Sequence, residues 1–541
     1  MKVIGKKIII AAFCLILIDF NNFGVFANGD LYEPSELEII ANYQKNSFSF
    51  STKDLVVYET KPMAEKNNYQ VGSLSNQSLL PALHAVNFQR YVAGLQDDLV
   101  LNELYSSYAQ HASYVNMLNG GLSHNPTKPS YLPQSIYDLG YQGAQSSNIA
   151  AGYVNLVDSI IYGYMWDEDP YNIATLGHRR WLLSPQMQEI GFGYVDALNG
   201  SPYRSFSAAY VMDKGRVAKA DYDYLAWPAA GNMPIELMSD GLPWSVNLGD
   251  TYSNPSASLV SVSLKNLDSG KIYYFQSTSN QDPNQSEQKE FFTINNEGYA
   301  MGKCIIFRPK LGEISYSVND RFEVSIKGIY RNGVETPIVY EVDLFSLFDQ
   351  PSSWAMTELM TAQSSGLIPK EYGEAYKSNI SRLDFSILLM NMLTKGSGYS
   401  MEELVQQYGN EVQGYYDTEN KEVLAAANLG IVKGIGNGRF DPNGFITREA
   451  AATMLARAAD LLTKMVSITR DTSITASYSD AAEISDWAKE GIMEIYQIID
   501  TVNRKRVMEG ISSGRFSPQE TYTREQAMIT MKRLFYSIRN S

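Results

Sequence analysis

Ile380-Ser381-Arg382-Leu383-Asp384, Ile446-Thr447-Arg448-Glu449-Ala450 and Tyr522-Thr523-Arg524-Glu525-Gln526 are one short pattern written three times, at intervals of 66 and 76 residues. Each copy sets a bulky apolar residue before a hydroxyl residue and an arginine, and a helical run follows. Ser or Thr there is suited to cap a helix, because its side-chain oxygen accepts from a free amide of the first turn. Repetition at this period marks supersecondary units that bury their apolar faces against one another. Upstream of each copy lies an aromatic-aspartate opening: Phe348-Asp349, Tyr416-Asp417 and Tyr478-Ser479-Asp480. Copies two and three also share a Gly-x-Phe-x-Pro turn, Gly438 to Pro442 and Gly514 to Pro518. The repeats divide the C-terminal part into 346–400, 401–465 and 466–541.

These elements, in this order, resemble the S-layer-homology module, whose pattern is an Asp-led helix with Trp-Ala, a Gly-Ile-x-x-Gly loop, a Gly-x-Phe-x-Pro turn and a Thr-Arg-Ala-Glu helix start. Trp354-Ala355 and Trp487-Ala488 match in copies one and three, and copy two lacks the tryptophan. Gly430-Ile431-Val432-Lys433-Gly434 matches in copy two and Val507-Met508-Glu509-Gly510 in part, whereas Gly366-Leu367-Ile368-Pro369 has no second glycine. The resemblance implies an α-helical three-repeat prism with grooves that bind an anionic, often pyruvylated, secondary cell-wall polysaccharide. Asp349, Trp354, Arg382, Asp417, Gly434, Arg448, Asp480, Trp487, Gly510 and Arg524 are the implied wall-ligand residues. Physical chemistry supports the arginines separately: a guanidinium at a helix start offers a planar fork to a carboxylate, beside free amides and a positive dipole end. The competing reading is that each arginine pairs with a neighbouring acid and only stabilises the fold. Three weak grooves on one module would add avidity.

At the other end, Lys2, Lys6 and Lys7 precede eleven uninterrupted apolar residues, Ile8 to Ile18, and Val25-Phe26-Ala27 is a small-x-small motif. This reads as a secretory signal over 1–27, since eleven apolar residues fall short of the roughly 20 that span a bilayer. No later segment approaches that length, so no transmembrane segment is expected after cleavage. Cys14 would leave with the signal, and Cys304 alone cannot form an intramolecular disulfide. The signal carries three lysines and Asp19, so its removal takes the formal charge from −15 to about −17. Such a surface argues against nucleic acid as a partner.

Residues 28–78 are polar and read as a leader. From 79 to 210 the pattern is helical, with Leu83, Val86, Tyr91 and Leu95 on one face and Leu101, Leu104, Ala109 and Ala112 on another, before Gly120-Gly121. From 211 to 345 the period becomes two: Val260, Val262 and Leu264 alternate with polar residues, as do Phe322, Val324 and Ile326, and Asn332-Gly333 precedes Ile338, Tyr340 and Val342 as a hairpin signal. A β-sandwich of immunoglobulin-like character, serving as a spacer, is the reading.

All four histidines, His84, His111, His124 and His178, lie within 95 residues, which marks where acid/base or metal chemistry would sit. The stretch 80–196 resembles the cysteine-rich-secretory/antigen-5/pathogenesis-related (CAP, SCP-like) family, through Asn87-x-x-Arg90, Leu122-Ser123-His124, Asn148-Ile149-Ala150, Gly177-His178-Arg179-Arg180 and Ile190-Gly191-Phe192-Gly193-Tyr194. It implies an α-β-α sandwich whose cleft carries two histidines and two acids. By the resemblance His124 and His178 are the histidines, the first acid is replaced by Ser147, and the second is Asp167 or Glu168. Such a set can do acid/base work, or hold zinc or another divalent metal on His124 and His178. His84 and His111 read as packing or surface residues, and Arg179-Arg180 either as a solvated face or, the favoured reading, as partners of the acidic run 167–169. No Gly-x-Ser-x-Gly elbow appears.

The expectation is a multidomain, exported, extracellular bacterial protein of the cell wall, with an α-β-α sandwich CAP domain, a β-sandwich-like middle domain and the three-repeat prism. Its function would be anchoring by the repeats and display of a CAP domain for an unknown ligand. A wall-anchored hydrolase using the histidine-acid cleft and a structural S-layer component are the alternatives.

Overall fold

The computed structural model describes residues 31–541 apart from 47, 51–54, 66–67, 219–220, 370–371, 374, 411–413, 512–513 and 540–541. The secretory-signal reading of 1–27 lies outside these. No helix among the described residues is long and apolar enough to cross a membrane. The chain divides into two compact units, one reaching Ser346 and one beginning at Leu347.

The first unit opens on α1 (Glu36–Asn46), inside the stretch read from composition as a leader. That reading is corrected: Leu37, Ile39 and Ile40 are fully buried, and Tyr43 and Phe48 meet Phe88 of α2 (Asn76–Val92). Three apolar side chains on one turn were enough to dock a segment whose average composition is polar. Val71 likewise joins a core cluster with Tyr114, Val115 and Phe206.

α3 (Glu103–Asn119) begins where Asn102 Oδ1 accepts from the Tyr105 amide and ends at Gly120, φ 64°. It lies against the strand Glu189–Asp196 so closely that a Cβ on Gly191 would come within 2.1 Å of the Ser106 nitrogen, and one on Gly193 within 2.3 Å of Ala109. The sheet runs Val100–Leu101, Glu189–Asp196, Ser205–Tyr210, Ser147–Ala151, parallel at its first pair and antiparallel after. Neighbours on Ser205–Tyr210 point opposite ways, as a pleat requires. Ala208 is buried with Ala109, Ala112 and Ala144, on the side of α3 and α4 (Gln134–Ser146). Ser207 Oγ meets the hydroxyls of Tyr164 and Ser159 on the other side, where α5 (Leu156–Asp158) runs into a π-helical stretch, Ser159–Met165. Helix, sheet and helix are therefore layered.

Residues beyond 211 form a five-stranded and a four-stranded sheet. Val262, Leu264, Phe322, Val324 and Ile326 are buried, so the period-two pattern marks the inward face. Trp244 of one sheet meets Phe322 of the other, and Phe275 meets Phe307, which places the sandwich core. This segment shares one compact unit with what precedes it. Ile173 and Leu176 pack with Phe291, Cys304 and Ile306, and Arg308 Nη1 donates to the Glu168 carbonyl at 3.3 Å.

The second unit is helical: α7 (Met356–Ser364), α8 (Arg382–Ser397), α9 (Met401–Tyr408), α10 (Lys421–Asn428), α11 (Arg448–Thr463), α12 (Asp486–Gln497) and α13 (Arg524–Phe535), with α6 (Gly177–Leu182) completing the first unit. The residue two places before each repeated arginine closes a ring: Ile380 N donates to Tyr522 O at 2.9 Å, Tyr522 N to Ile446 O at 2.9 Å, and Ile446 N to Ile380 O at 3.1 Å. All three are buried. Three equivalent residues joined head to tail define a pseudo-three-fold axis, and α8, α11 and α13 start around it.

Candidate functional site

The C-terminal unit holds ten of the residues singled out from sequence, and the structure assigns most of them bonds within the fold. At each repeated helix start the first two amides donate to the next repeat. Arg382 N reaches Gly444 O and Leu383 N reaches Pro442 O; Arg448 N reaches Glu520 O and Glu449 N reaches Pro518 O; Arg524 N reaches Ser378 O and Glu525 N reaches Tyr376 O. The third amide goes to the capping hydroxyl of Ser381, Thr447 or Thr523. The expectation that these helix mouths offer free amides to an anion is corrected, because the ring supplies carbonyls to them.

The arginine side chains follow the same cycle. Arg382 donates from Nε to Phe440 O at 2.9 Å and from Nη2 to Lys433 O at 3.1 Å, with its guanidinium over the Phe440 ring. Arg448 donates to Phe516 O at 2.8 Å and Glu509 O at 2.9 Å, lies over Phe516 and Tyr522, and is buried. Arg524 donates to Asp384 Oδ2 at 3.1 Å and Tyr372 O at 3.3 Å. Each arginine of one repeat is thus spent on the next. Of the three, Arg524 meets the acid-pairing alternative, and the other two take carbonyls.

The aspartates clamp turns. Asp417 accepts from the amides of Phe440 and Asp441 at 2.8 and 2.9 Å. Asp480 accepts from Phe516 and Ser517, both at 2.8 Å, and Asp349 from Ala375 at 2.6 Å. Asp441, Ser517 and Ala375 all have positive φ, at 63°, 56° and 51°, so each carboxylate holds a left-handed turn residue in place. Gly434 and Gly510 are steric necessities: a Cβ would come within 2.8 Å of the rings of Tyr415 and Tyr478 and closer still to the carbonyls of Arg439 and Arg515. Trp354 and Trp487 remain, 54% and 56% exposed.

In the first unit, Asp167 and His178 are brought together. His178 Nδ1 and Asp167 Oδ1 are 2.9 Å apart, and Asp167 Oδ2 accepts from the His178 amide at 3.1 Å. Asp167 has φ 51° and is buried, a backbone turn that aims its carboxylate at α6. Glu168 instead accepts from Ser239 Oγ at 3.0 Å, so of the two acids it is Asp167 that meets His178. Burial by itself would lower the His178 pKa, but the Asp167 charge and hydrogen bond outweigh it and leave it raised above 6.5.

His124 is exposed, and its Nδ1 lies 2.7 Å from the Ala144 carbonyl. Four residues on, Asn148 Nδ2 donates to the His178 carbonyl at 2.9 Å, so both histidines attach to the junction of α4 with the strand Ser147–Ala151. A carbonyl or carboxylate partner makes Nδ1 the protonated nitrogen in each ring, leaving Nε2 as the basic atom. Ser147 Oγ is buried and without a hydrogen-bond partner among the described residues.

Two Nε2 atoms make an incomplete metal set. Among the described residues no three His, Cys, Asp or Glu side chains are grouped to hold an ion, and Asp167 is engaged by His178. Two imidazoles alone do not fit the zinc reading of His124 and His178.

The Arg179 amide donates to Asp167 Oδ2 at 3.4 Å, but the side chains of Arg179 and Arg180 do not bond the acidic run as expected. Arg179 donates to the carbonyls of Met165, Trp166 and Pro243 and to Ser245 Oγ, and Arg180 to Asn295 Oδ1 and the carbonyls of Thr175, Glu297 and Met301. They tie α6 to the sandwich. His111 Nδ1 bonds the Ser107 carbonyl, a packing role.

The family model of the S-layer homology domain matches residues 412–452 and 477–528. An endoglucanase of Bacillus sp. (strain KSM-635) is 30% identical over 30% of this chain and 15% of its own length. An amylopullulanase of Thermoanaerobacterium thermosulfurigenes is 26% identical over 33% of this chain and 9% of its own. The chain therefore spans a small part of both relatives. S-layer homology domains bind secondary cell-wall polysaccharide, and the matched segments hold two of the three ring residues, Ile446 and Tyr522. The chain is an S-layer-homology-containing protein, associated through its C-terminal unit with the cell surface.

Proposed function

We propose that this chain is an exported bacterial protein held non-covalently on an anionic secondary wall polysaccharide by residues 347–541, displaying a CAP-type domain over 79–210 that binds an unidentified ligand. The observation that carries the anchoring half is the closed ring of Ile380, Ile446 and Tyr522, which extends the two matched repeats to a third equivalent one. The helix-sheet-helix layering and the attachment of His124 and His178 to one junction support the CAP-type reading. A chain ending at Ser346 tests anchoring: it should stay in solution when purified walls are sedimented, and retention equal to that of the full chain would refute it.

A second reading is a wall-anchored hydrolase. The Asp167–His178 pair favours it, since a carboxylate on Nδ1 orients an imidazole as a general base through Nε2. The named relatives, an endoglucanase and an amylopullulanase, are also enzymes of carbohydrate breakdown. Turnover of wall glycan or peptide by the full chain, abolished in His178→Ala with the fold intact, would establish it.

A further inference from the structure

α12 lies directly on α11 at Gly491, where a Cβ would come within 3.1 Å of the Thr453 Cα and 3.5 Å of the Ala456 Cβ. One turn beyond Ala456 and Gly491 stand Asp460 and Glu494, whose carboxyls are hydrogen-bonded to each other. Such a bond needs a proton, because two carboxylates have only acceptors to offer. Arg470 completes the group, with Nη1 2.7 Å from Glu494 Oε1 and Nη2 3.5 Å from Asp460 Oδ1. Its backbone is pinned on both sides: Thr469 N donates to Ser537 O at 2.8 Å, Asp471 N to Gln497 O at 2.8 Å, and Ile499 N to Thr469 O at 3.1 Å. The acid pair belongs to this seam alone. Twelve residues after the repeated arginine, Thr394 and Tyr536 stand where Asp460 does. Ser352 and Ser485 make the same bonds, to Glu525 and Glu449, and nine residues after them stand Thr361 and Glu494.

Burial raises the Glu494 pKa, the bond to Asp460 and its charge add to that, and Arg470 offsets them only in part, so that it is pushed up to about 7. The other charges nearby are solvated or engaged elsewhere. Glu490 and Lys464, one turn away on α12 and α11, are exposed. Arg457 donates to the Ile431 carbonyl, Asp471 and Arg506 face each other at 3.9 Å, and Lys489 meets Asp486 at the start of α12. Residues 474–476, which also pack on α12, carry no charge.

We propose that Asp460, Arg470 and Glu494 form a proton-operated latch between α11 and α12, closed while the two acids share one proton and loosened when both ionise. The proton leaves to solvent, two anions then face one guanidinium, and Asp460, whose side chain is already 60% exposed, is the one free to turn away. A carboxyl with a raised folded pKa contributes most below its unfolded value near 4.5. Its contribution falls as pH rises from there to about 7 and is level above. The latch is a property of the fold and operates with or without a bound wall polymer.

Hydrogen exchange of the α12 amides in the full chain, corrected for intrinsic rates, would be followed from pH 5 to pH 8. The expected result is an opening constant that rises about tenfold or more up to about pH 7 and then levels. Glu494→Gln, which keeps a donor toward Asp460, should abolish the rise, and Glu490→Gln, exposed on the same helix, should keep it. Asp460→Asn should move the midpoint down, because it removes the opposing charge. A rise that persists in Glu494→Gln, or one that Glu490→Gln also abolishes, would overturn the proposal. The carboxyl carbon shift of Glu494 in the unaltered chain decides the matter without a substitution: a midpoint near 7 supports the latch, and one near 4.5 overturns it.

Discussion

The Ile446 amide donates to the Ile380 carbonyl at 3.1 Å, and this bond between residues 66 apart joins the second repeat to the first. Its two counterparts, through Tyr522, close the set, so no repeat has all its partners without the other two. A ring of this kind orders the unit cooperatively, because removing one repeat strips carbonyls from the helix start before it and amides from the helix after it.

Arg448 gives the most sensitive test of that closure. Arg448→Ala would leave the carbonyls of Phe516 and Glu509 unpaired and a void beside two rings, at a cost of about 2–4 kcal/mol. Calorimetry should show the transition of the C-terminal unit falling by several degrees. Arg448→Lys should not restore it, since an ammonium cannot reproduce the planar fork.

Acid should open the same unit at a second seam. Glu358 of α7 receives Arg533 at 2.7 Å and Lys505 at 2.9 Å, with Lys532 at 3.6 Å. Burial alone would raise its pKa, but the hydrogen bonds and charges of these cations bring it down to about 2. A carboxyl whose folded pKa is depressed contributes stability that is present above its unfolded value and lost as pH falls through the folded one. Stability measured by urea unfolding should therefore decline from about pH 4.5 toward pH 2, and Glu358→Gln should be less stable at neutral pH and flatter across that window.

In the first unit, Asp167→Asn removes the charge that offsets burial of His178. The His178 titration, followed by the NMR shift of its ring proton, should move downward from a midpoint above 6.5. A midpoint unmoved by the substitution would show that Asp167 does not set the ionisation.

Gly193→Ala tests how closely α3 is seated. The new methyl would stand 2.3 Å from the Ala109 and Gln110 backbone, which no side-chain adjustment relieves. A loss of about 1–3 kcal/mol or more is expected in denaturant unfolding, against a small change for Gly121→Ala, where a Cβ meets nothing within 4 Å.

The repeats were legible because their signals are local and recur: hydroxyl caps, an aspartate before each first helix, Gly-x-Phe-x-Pro turns. What the sequence hid was the destination of each bond. Arg382, Arg448 and Arg524 stand where an anion site would be built, yet their partners lie up to 152 residues away, on loops that only the ring brings near. The period of two in 260–264 and 322–326 marked strands correctly, while the union of that sandwich with α6 rests on Arg179 and Arg180 reaching carbonyls, which carry no residue signature. Asp167 could not be separated from Glu168 by type or spacing. Its φ of 51° separates them. The docking of α1 hung on Leu37, Ile39 and Ile40, three residues diluted by polar neighbours.

Sedimentation of the full chain with purified walls, before and after chemical removal of their secondary polysaccharide, is the most direct test of how the protein is held. Binding to intact walls and release into the supernatant with stripped walls is the predicted result. Equal sedimentation with both preparations would contradict it.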